Sequence, residues 1–230
     1  MVYSKLGDDW LVGADGMRWR RAARVILMRF PLGSAAALNG RCPTSDQEPE
    51  LLMVRGHDYD DPERSWWFTV GGGIDAGESA RQAALREVRE ETGIILAEAD
   101  LIGPVITRDA IFDFKNETCR QLEEFYAAIV PQQADHNASN AAWTDQEHEL
   151  LDELAWLTPR QLKAQSLAYY PPELPDIATR LAAQLTSTGW DGQAVSLGER
   201  IEQWAAAPTT GWDGQVIDLG TQDDDNRGRT

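Results

Sequence analysis

Cysteine is scarce in this chain: Cys42 and Cys119 are the only two in 230 residues. Two thiols do not build a disulfide framework at this length, so a reduced, cytoplasmic setting is expected. Long apolar runs are also missing. No stretch approaches the roughly 20 apolar residues that a membrane helix needs. Asp8, Asp9 and Asp15 interrupt the N-terminal stretch before it reaches the apolar length of a signal peptide. Basic charge is short as well: 21 Lys and Arg stand against 38 Asp and Glu, a formal net charge of −17. That balance argues against broad electrostatic binding to nucleic acid or anionic membrane, which takes clustered Lys and Arg. A phosphate-bearing small molecule held through metal ions is still compatible with it. His57, His136 and His148 are scattered through polar loops without metal-ligand spacing, and surface positions are expected for them.

What the chain does have is concentrated in Gly71–Ile94, which reads GGGIDAGESARQAALREVREETGI. Three glycines suit a loop whose backbone approaches a ligand closely. Ser79 has the character of a helix N-cap, with Gln82 as its capping-box partner. Good helix formers fill Ala80–Thr92, and Gly93 is a natural stop. Glu87, Glu90 and Glu91 stand at i, i+3 and i+4, on one helical face, where like charges repel. A hard divalent cation removes that conflict, because Mg²⁺ takes carboxylate oxygens and keeps waters for substrate phosphates.

Gly72, five residues, Glu78, seven residues, then Arg86-Glu87-Val88-Arg89-Glu90-Glu91-Thr92-Gly93-Ile94 resembles the signature of the Nudix hydrolase family. The pattern is specific, because nine positions at fixed spacing are all filled. The resemblance implies an α/β fold of the Nudix type, an α/β/α sandwich with a mixed sheet, over about residues 18–186. It also implies Mg²⁺ as cofactor, with Mn²⁺ as a substitute.

Glu87, Glu90 and Glu91 are the expected metal ligands, and the resemblance implies that the Gly72 carbonyl joins them. Arg86 is expected to orient the carboxylates through charge-assisted hydrogen bonds. For the general base, the resemblance points either to the signature or to a glutamate in a later loop. Glu147 and Glu149 are the late-loop candidates. Of Glu123 and Glu124, strand alternation lets only one face the cleft, and Glu124 is taken as the substrate contact. Arg55 and Arg108 are candidate phosphate clamps at strand ends.

The rest of the chain supplies strands and helices in alternation. Strands are expected at Ala23–Arg29, Leu51–Arg55, Trp66–Val70, Val105–Phe112, Gln121–Val130 and Leu154–Leu157, with a short element near Trp10–Val12. Thr158 and Pro159 open a short helix. Pro171, Pro172 and Pro175 break the chain before a second helix at Asp176–Thr186. Residues 1–186 therefore form one domain. Residues 187–230 form an extension in which TGWDGQAVSLG (188–198) returns as TGWDGQVIDLG (210–220), identical at eight of eleven positions. Two copies are too few for a free-standing solenoid, so the repeats are expected to dock on the domain or on a second subunit, which leaves a homodimer open.

The expected function is Mg²⁺-dependent cleavage of the pyrophosphate bond in a nucleoside diphosphate linked to another group X, by a metal-activated water. The substrate is then a small nucleotide derivative. The resemblance does not extend to the family's ADP-ribose pyrophosphatases, since Ala110 stands where those have a proline. Two alternatives stay open. One is a nucleoside triphosphate pyrophosphohydrolase of the mutator type. The other is a Nudix-fold nucleotide-binding regulator without turnover.

Overall fold

A computed structural model describes residues 10–14, 16–30, 48–58, 61–114, 117–131, 143, 149–187, 192, 195–196 and 215–217. The strands are β1 (Leu11–Val12), β2 (Arg18–Arg29), β3 (Glu50–His57), β4 (Ser65–Gly73), β5 (Ile102–Phe114), β6 (Glu117–Ile129), β7 (Leu151–Leu157), β8 (Ala168–Tyr170), β9 (Val195–Ser196) and β10 (Gln215–Ile217). The α-helices are α1 (Ala80–Thr92), α2 (Pro159–Lys163) and α3 (Leu174–Ser187).

Alternation along β2 builds two cores at once. Ile26 and Met28 join Leu51, Met53, Trp67 and Phe125 on one face, where Leu162 of α2 and Leu174, Ile177 and Leu181 of α3 cover them. Val25 and Leu27 join Leu52, Val54, Val70 and Tyr126 on the other face, under Ala83, Ala84 and Val88 of α1. The run Leu51–Val54 is buried throughout because each face of the sheet has its own helical layer. The expected α/β/α sandwich follows directly. The sheet is mixed, in the order β10-β5-β6-β2-β3-β4-β8, with β1 on β2, β7 on β3, β9 on β5, and β2 also pairing β4. β2–β6, β4–β8 and β5–β9 run parallel and the other pairs antiparallel.

Several boundaries differ from expectation. The strand before the signature runs on through Gly73, so the glycine triplet is the end of β4 rather than a free loop. Its glycines are needed because neighbouring groups lie where a Cβ would stand: at Gly71 (φ +135) the Ala23 carbonyl, and at Gly72 the Glu87 carboxylate. Pro175 lies inside the first turn of α3 rather than before it. There its missing N–H leaves no helical bond unmade. The core aromatic before the signature is Trp67, with Phe68 partly buried against the α1-side core. Among the described residues, no helix is long and apolar enough to cross a membrane. Both tryptophans of the TGWDGQ repeats lie outside the described residues, as do Cys42, His136 and His148.

Candidate active site

The signature helix has a cap at each end. The Ser79 side chain accepts from the Gln82 N–H, and the Gln82 side chain accepts from the Ser79 N–H at 2.9 Å. Gly93, at φ 73, closes the helix with its N–H on the Arg89 carbonyl. Ala83, Ala84 and Val88 press the helix onto the sheet. That leaves Glu87 and Glu91 on the flank that meets the end of β4, 8% and 5% exposed.

Two glycines seat these carboxylates. The Gly71 N–H donates to Glu91 Oε2 at 2.8 Å. A Cβ on Gly72 would stand 2.6 Å from Glu87 Oε1 and 2.9 Å from Oε2. Trp143 ties down the end of the helix, its indole N–H donating to the Glu91 carbonyl at 2.8 Å.

Arg86 gathers the remaining acids. Its Nε and Nη2 donate to the two oxygens of Glu78, each at 3.0 Å. Its Nη1 donates to Glu87 at 2.7 Å and to Glu90 at 3.1 Å, and Nη2 also reaches the Gly73 carbonyl at 2.9 Å. Arg86 therefore orients carboxylates, and it relieves the repulsion that the i, i+3, i+4 spacing sets up. The Glu78 hydrogen bond is the largest influence raising the guanidinium above its ordinary value. In return that bond lowers Glu78, against the upward push of burial and with help from the Asp75 N–H.

The substrate-contact candidates separate by face. Gly72 pairs with Ala23, Ala23 with Glu124, and Glu124 with Thr107, one row across four strands. Glu124 alternates with buried Glu123 and lies on the α1 side with Tyr126. It accepts from Arg21 Nη2 at 2.9 Å and from the Tyr126 hydroxyl at 2.9 Å. Glu123 points to the opposite face, where Arg108 Nη1 donates to it at 2.8 Å. Arg108 is itself 2% exposed, so it is an interior partner of Glu123 rather than a clamp open to solvent. Burial pushes Glu123 up, but the Arg108 and Arg24 charges outweigh it and hold the carboxyl below its ordinary value.

Arg55 is half-exposed and ion-paired with Asp152 at 3.5 Å and Glu153 at 3.0 Å on β7. Glu149 is exposed just before β7. Glu147 lies outside the described residues. Among the described residues, no three His, Cys, Asp or Glu already stand as a cage for a metal ion. Glu87 and Glu90 turn onto Arg86 instead.

The NUDIX domain family model matches residues 40–177. The uncharacterized Nudix hydrolase YvcI of Bacillus subtilis (strain 168) is 48% identical over 62 residues, 27% of this chain and 35% of that protein. The chain thus spans about a third of the length of that relative. Nudix hydrolase 25 of Arabidopsis thaliana is 26% identical over 135 residues, 54% of this chain and 75% of that protein. The crystal structure of a mutT/nudix family protein from Listeria innocua is similar with a TM-score of 0.41 at 21% identity, over 70% of this chain and 92% of that one. With more than half of its length matched by the family model, and the full signature seated on a capped helix, the chain belongs to the Nudix family.

Proposed function

We propose that this protein is a Mg²⁺-dependent hydrolase that cleaves the pyrophosphate bond of a nucleoside diphosphate linked to another group X. The observation that carries the reading is the seating of Glu87 and Glu91 against the glycine end of β4. Two buried carboxylates lie against backbone there, with Glu90 beside them, half-exposed. Buried anions need cationic partners, and this donor set is made of hard oxygens. Glu87, Glu90, Glu91 and the Gly72 carbonyl would hold the ion, and Mn²⁺ fits the same donors. A bound divalent cation supplies neutralisation of phosphate oxygens and a lowered pKa for coordinated water.

The chain's own residues do the rest. Arg86 keeps Glu87 and Glu90 turned inward, and the Gly71 N–H fixes one oxygen of Glu91. Glu124 shares the row and the face of Gly72, which makes it the substrate-contact candidate. Arg55, half-exposed on β3, is the candidate for a substrate phosphate. Glu147 is the candidate general base.

The test is a panel of nucleoside diphosphate derivatives and nucleoside triphosphates, assayed with and without Mg²⁺ on wild type and Glu91→Gln. Mg²⁺-dependent release of a nucleoside monophosphate, lost in the variant, is expected. Release indifferent to Glu91→Gln would refute the metal assignment. No release from any compound would favour a nucleotide-binding regulator. Pyrophosphate from triphosphates alone would favour the mutator-type alternative.

A further inference from the structure

A second ionic cluster lies across the sheet from the acidic site, and nothing in the proposed chemistry uses it. Arg24 of β2 donates from Nε to Glu123 at 2.5 Å. Its Nη1 donates to the Thr69 carbonyl at 3.0 Å and to the Gly71 carbonyl at 3.1 Å. Glu123 is held in turn by Arg108 at 2.8 Å and by the Gln121 amide at 2.6 Å. The side chains of Arg108 and Glu123 are 1% and 0% exposed, and that of Arg24 is 11% exposed.

Burying such a cluster is costly. Apolar residues of similar volume often fill such a space with equal or better stability. What they could not supply is the pair of bonds to β4. The Thr69 and Gly71 carbonyls belong to the peptides on either side of the Val70–Gly71 peptide. The N–H of that central peptide is the one that donates to Glu91.

We propose that Arg24 is a positioning residue for the carboxylate site. It grips β4 on both sides of the peptide that anchors Glu91, and Glu123, Arg108 and Gln121 hold its guanidinium at that angle. The role rests on the metal reading above, because the geometry it protects is that of a metal ligand. It calls for arginine specifically: the planar fork reaches two carbonyls and a carboxylate together, which a single ammonium on a flexible stem does not. Gly71 completes the device, since a Cβ there would collide with the Ala23 carbonyl and keep β4 away from Arg24. Partners that hydrogen-bond a metal ligand typically change metal affinity by about 10–100-fold when removed, and Arg24 acts through such a partner, the Gly71 N–H.

The experiment is Mn²⁺ binding by the full chain, followed by electron paramagnetic resonance without substrate, with a thermal melt for each protein. Wild type and Glu91→Gln are compared first, and equal binding by the two would remove the metal reading itself. With that reading standing, Arg24→Met keeps the Glu123–Arg108 pair and should fold, yet bind Mn²⁺ about 10–100-fold more weakly. Arg24→Lys should fall between the two. Wild-type affinity in a folded Arg24→Met protein would overturn the positioning role while leaving the metal site intact. If Arg24→Met does not fold, Arg24→Lys decides alone, and wild-type affinity there overturns the proposal. A further readout is amide exchange: Gly71 should exchange faster in Arg24→Lys than in wild type, while Val88, inside α1, should not change.

Discussion

Gly72 and Glu87 are fitted to one another: a methyl group on Gly72 would lie 2.6 Å from one carboxylate oxygen and 2.9 Å from the other. Substituting Gly72→Ala should therefore push the Glu87 carboxylate off the end of β4. With Glu87 as a metal ligand, as proposed, metal affinity should fall by about 10–100-fold, because the carboxylate is displaced rather than removed. Calorimetric Mg²⁺ titration checks it, and a variant that binds like wild type would show that Glu87 is not seated by this contact.

Arg86 reaches Glu78, Glu87, Glu90 and the Gly73 carbonyl through one planar group. Arg86→Lys keeps a positive charge but cannot serve all of these acceptors. The expected result is a loss of about 10–100-fold in kcat/KM. The shift in thermal midpoint should be smaller than the loss of activity, since lysine keeps a cation beside Glu78 and Glu87 and does not leave those carboxylates uncompensated. Equal losses of activity and fold would point to a structural role instead.

Glu78 has a depressed pKa in the folded protein, set first by the Arg86 hydrogen bond. A lowered folded value means that its contribution to stability is fully present above the ordinary carboxylate value of 4.5 and disappears as pH falls through the folded value. Urea melts of wild type and Glu78→Gln, recorded without metal, should differ at pH 7. They should converge below pH 4.5, in the range where Glu78 takes up its proton. A difference that stays constant down to acid pH would contradict the pairing.

The cap on α1 can be tested apart from the chemistry. Ser79→Ala removes an acceptor for the Gln82 N–H and should cost about 1 kcal/mol of stability. Because Glu87, Glu90 and Glu91 lie in the C-terminal half of the helix, KM and kcat should stay near wild type. A denaturant series with parallel assays checks both halves of the expectation.

How much of this could be read beforehand varied with the range of the interactions. The signature helix was legible to the residue, from Ser79 to Gly93, because caps and stops are local chemistry. The same holds for Thr158 and Pro159 at the start of α2, whose capping box repeats the logic of α1. The sites of strands were legible from alternation, but their ends were not. β2 begins at Arg18 because long arginine side chains find acids on β6, as Arg18 does on Glu117, and propensity says nothing of that.

Arg108 shows the limit most clearly. A buried arginine looks like any other arginine in a sequence, and only the register that brings Arg108 opposite Glu123 takes it out of solvent. Arg24 is hidden in the sequence for the same reason, since its carbonyl partners on β4 are more than forty residues away. The short strand β8 left no signal either: three residues between a turn and a proline do not make a period.

The pairing of β9 and β10 with β5 bears on the open edge of the sheet. Val195 and Ile217 occupy equivalent places in the two repeats, with 217 − 195 = 22, the repeat offset, and both lie in strands along the outer margin of β5. One copy runs parallel to β5 beside Ile106 and Thr107, and the other antiparallel beside Asp109–Ile111. An open margin offers unpaired N–H and C=O groups to any extended segment, including the same strand of another molecule. Among the described residues, β9 and β10 cover neighbouring stretches of that margin and leave two- and three-residue strands as the new edge there. Edge strands that short give an incoming segment little to pair with.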